Sequence, residues 1–145
     1  GVVLSAALIF NWAILSNQIY YCMQYTYETS YATAFKIADD ITEVEGYTKD
    51  TPVLIGMDEG MTITLPNAEA LAPLTKYTGV LVGYIYYRDA QLLYFINNNI
   101  GLYMPVATEE QVMEIKNSQE YKEMPLYPDG KSAQMIDGVA VVKIS

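Results

Sequence analysis

Carboxylates, tyrosines and one arginine are the side chains with which this 145-residue chain could do chemistry. The chain has no histidine, and Cys22 is its only cysteine. This composition excludes a Ser-His-Asp triad, a Cys-His pair, an imidazole-bound zinc ion and an internal disulfide. We identify no catalytic residue and no metal site from these residue types, and we expect no cofactor.

Two adjacent carboxylates, Asp58 and Glu59, follow a short buried strand predicted at residues 52–56. Ligands of open α/β sheets bind beyond the carboxyl ends of strands, so this pair could bind a cation or a sugar hydroxyl. The sequence "DEG" is also typical of a solvated turn. We favour the solvated turn and keep the carboxylate pair as a weak ligand-binding candidate.

The run "GYIYYRD" contains the second group of candidate residues, Tyr84, Tyr86, Tyr87 and Arg88. Tyrosine rings and a guanidinium can stack on a sugar ring, and the guanidinium can clamp a phosphate. The alternative is a half-buried strand whose tyrosine hydroxyls are hydrogen-bonded within the protein. We favour the strand, so these four residues are also weak ligand-binding candidates.

The charge balance argues against nucleic acid as a partner. The formal net charge is -9, with a sequence pI near 4.3. Proteins that bind phosphate backbones need a basic patch or stripe, and no basic run occurs in this sequence. We therefore expect no nucleic-acid partner.

The elements that position these residues begin with an uncharged segment, residues 1–27. In residues 2–15 only Ser5 and Asn11 are polar, and these 14 residues are fewer than the roughly 20 that cross a bilayer. Amphipathic residues of the kind found at membrane interfaces follow: Asn17, Gln18, Tyr20, Tyr21, Tyr25 and Tyr27. This order predicts the C-terminal half of a membrane helix that leaves the bilayer near Tyr20.

The predicted organisation is the end of a transmembrane helix at residues 1–19 and a single extracytoplasmic domain at residues 20–145. A buried core helix is one alternative for the apolar run. A signal peptide is another, although no basic region precedes the run and no convincing cleavage site follows it. Because the sequence starts at Gly1 rather than at a methionine, we expect further sequence upstream.

The helix is predicted to continue past the tyrosines. Apolar residues follow one another at steps of three or four: Tyr20, Met23, Tyr27, Tyr31, Ala34, Ile37, Ile41 and Val44. Charged residues such as Asp39 and Asp40 fall outside this stripe, as on a solvated helix face. Gly46 is a plausible end of the helix.

The rest of the chain predicts a small mixed α/β sheet with packed helices. Residues 61–87 are interpreted as irregular structure, and a helix is predicted at about 90–99, with Asp89 as N-cap and Gly101 just past its end. A strand is predicted at 102–107, where Pro105 indicates an edge strand or a strand end. Thr108 and Gln111 match a capping box that starts a helix ending near Glu120.

Two turns complete the predicted fold. Residues 127–130, "YPDG", predict a type I turn. Asp137 and Gly138 between apolar runs predict a C-terminal β-hairpin that pairs Ile136 with Val139, with one face of the hairpin in the core.

Two long stretches, residues 20–60 and 94–145, carry a family resemblance. They combine a tyrosine-rich continuation of an apolar helix, the segment "TPVLIG", the helix "FINNNIG" and the ending "MPLYPDGKSAQMIDGVAVVK". Together they resemble the C-terminal part of the glucosyltransferase II-type family of bacterial membrane glycosyltransferases. The resemblance covers almost the whole chain, from about Asn17 to Ser145.

This resemblance implies a multi-span enzyme that transfers a sugar from a polyprenyl-phosphate donor to a cell-surface glycan outside the membrane. Such enzymes carry their acidic catalytic residues in outward-facing loops between early membrane helices, which this sequence does not include. No catalytic residue is therefore carried over, and the isolated chain is expected to be inactive. The implied role of residues 20–145 is to cover the active site or to position the acceptor glycan.

The expected partners are the membrane, the upstream membrane domain of the same protein and the acceptor glycan. One alternative is a structural or oligomerisation domain without a ligand, which a flat surface around Arg88 would indicate. Another is a membrane-anchored extracellular binding module, which a single span upstream of Gly1 would indicate.

Without lipid, the apolar helix is expected to self-associate, because its exposed apolar surface exceeds that of a soluble monomer.

Overall fold

A computed structural model of the chain describes residues 1–57 and 88–144. The irregular structure predicted for residues 61–87 lies outside these ranges. The described residues belong to two compact units. Gly1–Ser30 lies in the first unit, whereas residues 31–57 and 88–144 lie in the second.

A single helix, α1, extends over Val2–Thr42 and contributes to both units. This confirms the long N-terminal helix predicted from the sequence. After α1, Gly46 adopts a φ of 83°, a left-handed conformation that glycine reaches without steric cost. Gly46 therefore acts as the predicted stop after the helix.

The buried side of α1 differs from the predicted stripe in its first half. Ala34, Ile37 and Ile41 are fully buried as expected, but Tyr20, Met23, Tyr27 and Tyr31 are exposed. In Gly1–Ser30 the buried side chains are instead small: Cys22, Thr26 and Ser30. Small side chains let a helix pack closely, while tyrosine rings can remain at the surface with their hydroxyls in water. In this first half of α1, the apolar stripe is therefore not the buried side of the helix.

The second unit is built on a mixed sheet, which confirms the predicted α/β fold. In the described part of the chain the sheet order is β1-β3-β2, with β1 at Val53–Gly56, β2 at Ala133–Ile136 and β3 at Val139–Lys143. The strand β1 runs parallel to β3, and Leu54 pairs with Val141. The strand β2 runs antiparallel to β3, so β3 is the central strand.

The β2–β3 hairpin has the predicted register, with Ile136 opposite Val139. Asp137 and Gly138 both have positive φ, at 47° and 77°, as a two-residue type I′ turn requires. The prediction that one face of the hairpin is core is wrong, however, because both Val141 and its oppositely directed neighbour Val142 are fully buried. A central strand that is covered on both faces is uniformly apolar, as in this case.

The helix after the undescribed segment has two parts. It begins as α2, Asp89–Phe95, and widens into a π-helical turn at Ile96–Ile100, which ends at Gly101 in the left-handed conformation. Phe95 meets Tyr31 of α1 edge to face, with ring centroids 6.4 Å apart. The N-cap is Arg88 and not Asp89, although the Asp89 carboxylate still accepts a hydrogen bond from the Ala90 amide.

The strand predicted at 102–107 is reduced to one parallel bridge. Val106 pairs with Val53, because the Val53 amide donates to the Pro105 carbonyl and the Ala107 amide donates to the Val53 carbonyl. Pro105 cannot donate a backbone hydrogen bond, so it limits the pairing of this segment. Within the described residues, this segment therefore lies at the edge of the sheet, beside β1.

Asn97 holds the segment before this bridge in place. Its carboxamide donates to the Met104 carbonyl oxygen at 3.1 Å and accepts from the Met104 amide at 2.9 Å.

Because Met104 is buried, Asn97→Ala would leave two backbone groups without partners, and we expect it to lower the free energy of unfolding by about 2 kcal/mol. Urea unfolding checks this against the exposed Asn99→Ala, and equal stability of the two variants would contradict it.

Two helices follow the bridge. The first, α3, spans Glu109–Asn117 and begins with the predicted capping box of Thr108 and Gln111. It ends three residues before the predicted Glu120, and a separate short helix, α4, spans Gln119–Glu123 with Ser118 as its N-cap. Side chains of β1, β3, α3 and α4 share one core cluster, which includes Leu54, Val141, Ile115 and Tyr121.

Lys143 fixes the end of α4 to the sheet. Its ammonium donates to the carbonyl oxygens of Tyr121, Lys122 and Met124 at 3.1, 3.1 and 3.2 Å. Cations at a helix C-terminus satisfy its free carbonyls and oppose the negative end of the helix dipole. Lys143 therefore has a structural role.

The turn before the hairpin differs from the type I prediction. The Tyr127–Pro128 peptide bond is cis, and the Asp129 amide donates to the Leu126 carbonyl oxygen at 3.1 Å. Proline therefore occupies the third position of the turn, as in the cis-proline class. The turn therefore spans residues 126–129, one residue earlier than the predicted 127–130, and the predicted turn type is wrong.

Candidate functional site

Most residues of the two sequence-predicted sites lie outside the part of the chain that the structure describes. This holds for Asp58 and Glu59 of the carboxylate pair and for Tyr84, Tyr86 and Tyr87 of the tyrosine run. Arg88 is described, so it alone gives the candidate site a geometry.

Arg88 is an exposed residue at the start of α2. Its backbone is extended, and its carbonyl oxygen accepts hydrogen bonds from the Gln91 and Leu92 amides, which fixes the backbone against the first turn. Its guanidinium makes no hydrogen bond or ion pair with the residues that the structure describes. Its exposed guanidinium carries the donors that would bind an anionic or hydroxyl-rich ligand.

An apolar cleft opens next to Arg88 along the chain. It lies between β1, the first residues of α2 and the bridge residue Val106, and its volume is about 80 Å³. Asp89 supplies a carboxylate at this otherwise apolar cleft. Pockets for small-molecule ligands measure about 300 to 1,000 Å³, so this cleft fits an apolar group rather than a sugar ring.

A second, acidic cleft of about 160 Å³ joins the end of α1 to the turn before β2. Asp40, Glu43 and Asp129 line it together with Ser132. Carboxylates accept hydrogen bonds from sugar hydroxyls and attract cations. In the described ranges, however, no three acidic or cysteine side chains are placed to hold a metal ion together.

Asp40 is also paired with a cation. The Lys36 ammonium lies 3.1 Å from the Asp40 carboxylate, one helical turn away on α1. This hydrogen bond, with the attraction between the two charges, raises the pKa of Lys36 above its ordinary value. Lys36 therefore stays protonated at neutral pH and offsets part of the negative charge of the acidic cleft.

The N-terminal part of α1 forms a large exposed apolar surface. Val2, Val3, Ile9, Phe10 and Trp12 are each at least 65% exposed. The helix is long and apolar enough to cross a membrane, and none of its apolar window is buried. The alternative of a buried core helix is therefore wrong, whereas a signal sequence at the N-terminus would share this length and composition.

Sequence reasoning missed the acidic cleft. The sequence predicts a solvated helix face at Asp40 and a turn at Asp129, and nothing in the local sequence around either residue indicates the other. They meet because the end of α1 and the turn before β2 approach each other in the second unit.

Comparisons with protein families, curated proteins and solved structures find no match.

Proposed function

We propose that this chain is the C-terminal, extracytoplasmic part of a membrane glycosyltransferase. The whole enzyme would transfer a sugar from a polyprenyl-phosphate donor to a cell-surface glycan. In this proposal residues 1–19 are the exit end of the last membrane span. Residues 20–145 cover the membrane-embedded active site or position the acceptor glycan.

The observation that carries the proposal is the change in surroundings along α1. Its first two turns are exposed and apolar, whereas Ala34, Ile37 and Ile41 near its other end are fully buried in the second unit. A lipid bilayer is the environment in which such an exposed apolar segment is stable. The tyrosines and amides between the two parts match a membrane interface.

The second unit offers groups suited to a glycan acceptor. Arg88 presents an exposed guanidinium that is unpaired among the described residues, and the acidic cleft presents the carboxylates of Asp40, Glu43 and Asp129. Guanidinium donors and carboxylate acceptors are the polar groups that bind sugar hydroxyls. The acidic cleft supplies the carboxylates for this role, because the apolar cleft is too small for a sugar ring.

Arg88→Ala in the whole membrane protein tests this role. We expect sugar transfer from a polyprenyl-phosphate donor to fall about tenfold at an unchanged membrane level, because a charged hydrogen bond to the acceptor is lost. Lys131→Ala is the matched control, since it removes one exposed positive charge elsewhere in the second unit. Transfer assays on isolated membranes, normalised to the amount of protein, give the comparison.

Unchanged activity of this variant and the gene sequence upstream of Gly1 distinguish the proposed glycosyltransferase from a binding module. Unchanged transfer by Arg88→Ala would remove Arg88 from the proposed acceptor site. A gene that encodes many hydrophobic spans upstream of Gly1, with acidic residues in its early outward loops, would support the glycosyltransferase. A gene with one upstream span or none would instead indicate a tethered or secreted binding module.

A further inference from the structure

The acidic cleft contains a buried hydroxyl that is unpaired within the described residues. Ser132 is 1% exposed and lies in the wall of the cleft between the end of α1 and the turn before β2. Its hydroxyl makes no hydrogen bond with any group in residues 1–57 and 88–144. Because burial of an unbonded hydroxyl is costly, an unused hydroxyl in a cleft wall indicates a place for a ligand.

The Ser132 hydroxyl is open to the cleft rather than enclosed. Among the described residues, Thr26 has the only completely enclosed side-chain oxygen without a hydrogen bond. The Ser132 oxygen therefore keeps an opening, and the space beside it is the cleft. The Ser132 amide donates to the Asp129 carbonyl oxygen at 3.0 Å, and the Ser132 carbonyl oxygen accepts from the Lys143 amide at 2.9 Å. The residue is therefore held in position before a ligand arrives.

The cleft carries a net negative charge. Asp40, Glu43 and Asp129 supply three carboxylates, and Lys36 pairs with that of Asp40. Within the described residues, the Glu43 carboxylate makes no hydrogen bond or ion pair, and the Asp129 carboxylate accepts only from the Lys131 amide. Two carboxylates are therefore left without a cation in this part of the chain, and they attract a positively charged ligand.

The size of the cleft favours a ligand larger than a metal ion. In the described ranges the carboxylates are not placed to hold one ion together. The volume of about 160 Å³ is close to the roughly 150 Å³ that holds one six-membered ring inside a protein. A ligand of that size can reach separate carboxylates with different substituents.

We propose that the acidic cleft binds one sugar residue of the acceptor glycan that carries a free ammonium group. This inference rests on the proposed function and names the class of acceptor. An ammonium has three donors and no acceptor, which suits the carboxylates of Glu43 and Asp129. The Ser132 hydroxyl bonds a hydroxyl of the same ring. An N-acetylated sugar has no charge and would leave both carboxylates uncompensated.

Binding of two matched disaccharides to the full chain in neutral detergent micelles tests the charge of the ligand. One probe is the disaccharide of glucosamine, and the other is the same disaccharide with both amines acetylated. Calorimetric titration at low salt and slightly acidic pH, where the amines are charged, measures both dissociation constants. We expect the free amine to bind at least tenfold more tightly, because charge-assisted hydrogen bonds are the stronger ones. Equal dissociation constants, or binding of neither disaccharide, would overturn the proposal.

Glu43→Gln removes one charge from the cleft with little change in shape. We expect it to weaken binding of the glucosamine disaccharide by about tenfold. Glu45→Gln is the matched control, because Glu45 is exposed, lies two residues further along and is not part of the cleft wall. It should change the affinity by less than about twofold. Equal weakening by the two variants would show a response to the net charge of -9 alone and would overturn the proposed site.

Ser132→Ala tests the hydroxyl separately from the charge. Because the hydroxyl has no partner within the described residues, its removal should leave Tm unchanged while binding weakens by about fivefold. Unchanged binding would overturn the assignment of this hydroxyl to the ligand. A Tm that falls together with the affinity would give the hydroxyl a structural role and would also overturn that assignment.

Sugar transfer by the whole protein distinguishes this inference from the proposed function. Transfer to an acceptor glycan without any free amine would overturn the amino-sugar site and uphold the glycosyltransferase. Binding of the glucosamine disaccharide without transfer from a polyprenyl-phosphate donor to any glycan would overturn the glycosyltransferase and leave a binding module with this site.

Discussion

Ile9→Arg is expected to release the chain from membranes. Ile9 lies near the middle of the apolar part of α1 and is 70% exposed, so the substitution leaves the packing of the folded chain intact. Placing an arginine at the centre of a membrane helix costs about 3 kcal/mol relative to isoleucine, which corresponds to a loss of roughly 100-fold in insertion. Flotation of the full chain with lipid vesicles measures the bound fraction.

Ala32→Arg is the matched control for this experiment. It adds the same charge at an exposed position of the same helix, beyond the apolar segment. We expect Ala32→Arg to float like the unmodified chain, while Ile9→Arg stays in the aqueous fraction. Flotation of both variants would show that Ile9 does not lie in hydrocarbon and would remove the basis of the proposed membrane location.

The elements that the sequence predicted correctly are those set by neighbouring residues. The hairpin at Asp137 and Gly138 depends on two residues that tolerate positive φ, and the start of α3 depends on a capping box within four residues. Both signals are complete within a few positions. Their geometry could therefore be derived without knowledge of the rest of the fold.

The pairing of β1 with β3 could not be derived in this way. Leu54 and Val141 lie far apart in the sequence, and parallel pairing leaves no local signal in either strand. The faces of β3 are a separate matter, because they are covered by elements packed on the sheet: Ile115 of α3 and Tyr121 of α4 share a core cluster with Val141. The incorrect prediction of a one-sided hairpin follows from these long-range contacts, which also leave no local signal.

The candidate site likewise combines features that residue type predicts with features that only tertiary contacts determine. The charge and exposure of Arg88 follow from its residue type, but the cleft beside it depends on the bridge between Val53 and Val106. The acidic cleft likewise depends on a contact between the end of α1 and the turn at Asp129. Sequence reasoning can therefore nominate side chains, while tertiary contacts decide which of them share a cleft.

Gly56→Ala is expected to destabilise the second unit strongly. A methyl group at Gly56 would overlap the Tyr121 hydroxyl and would lie 2.9 Å from the ring carbon Cζ. Tyr121 has little room to move, because it is buried in the core cluster and Lys143 lies 5.1 Å over its ring. Overpacking of this kind costs about 2 to 3 kcal/mol, which lowers Tm by roughly 5 to 10 °C.

The control is Gly130→Ala, because no atom lies within 4 Å of the added methyl group and the backbone there does not require glycine. Thermal unfolding in detergent should leave this variant within about 0.5 kcal/mol of the unmodified chain. Tyr121→Phe removes the closest atom, so Gly56→Ala should cost less in that background than alone. An equal cost in both backgrounds would show that the Tyr121 hydroxyl is not what excludes a side chain at Gly56.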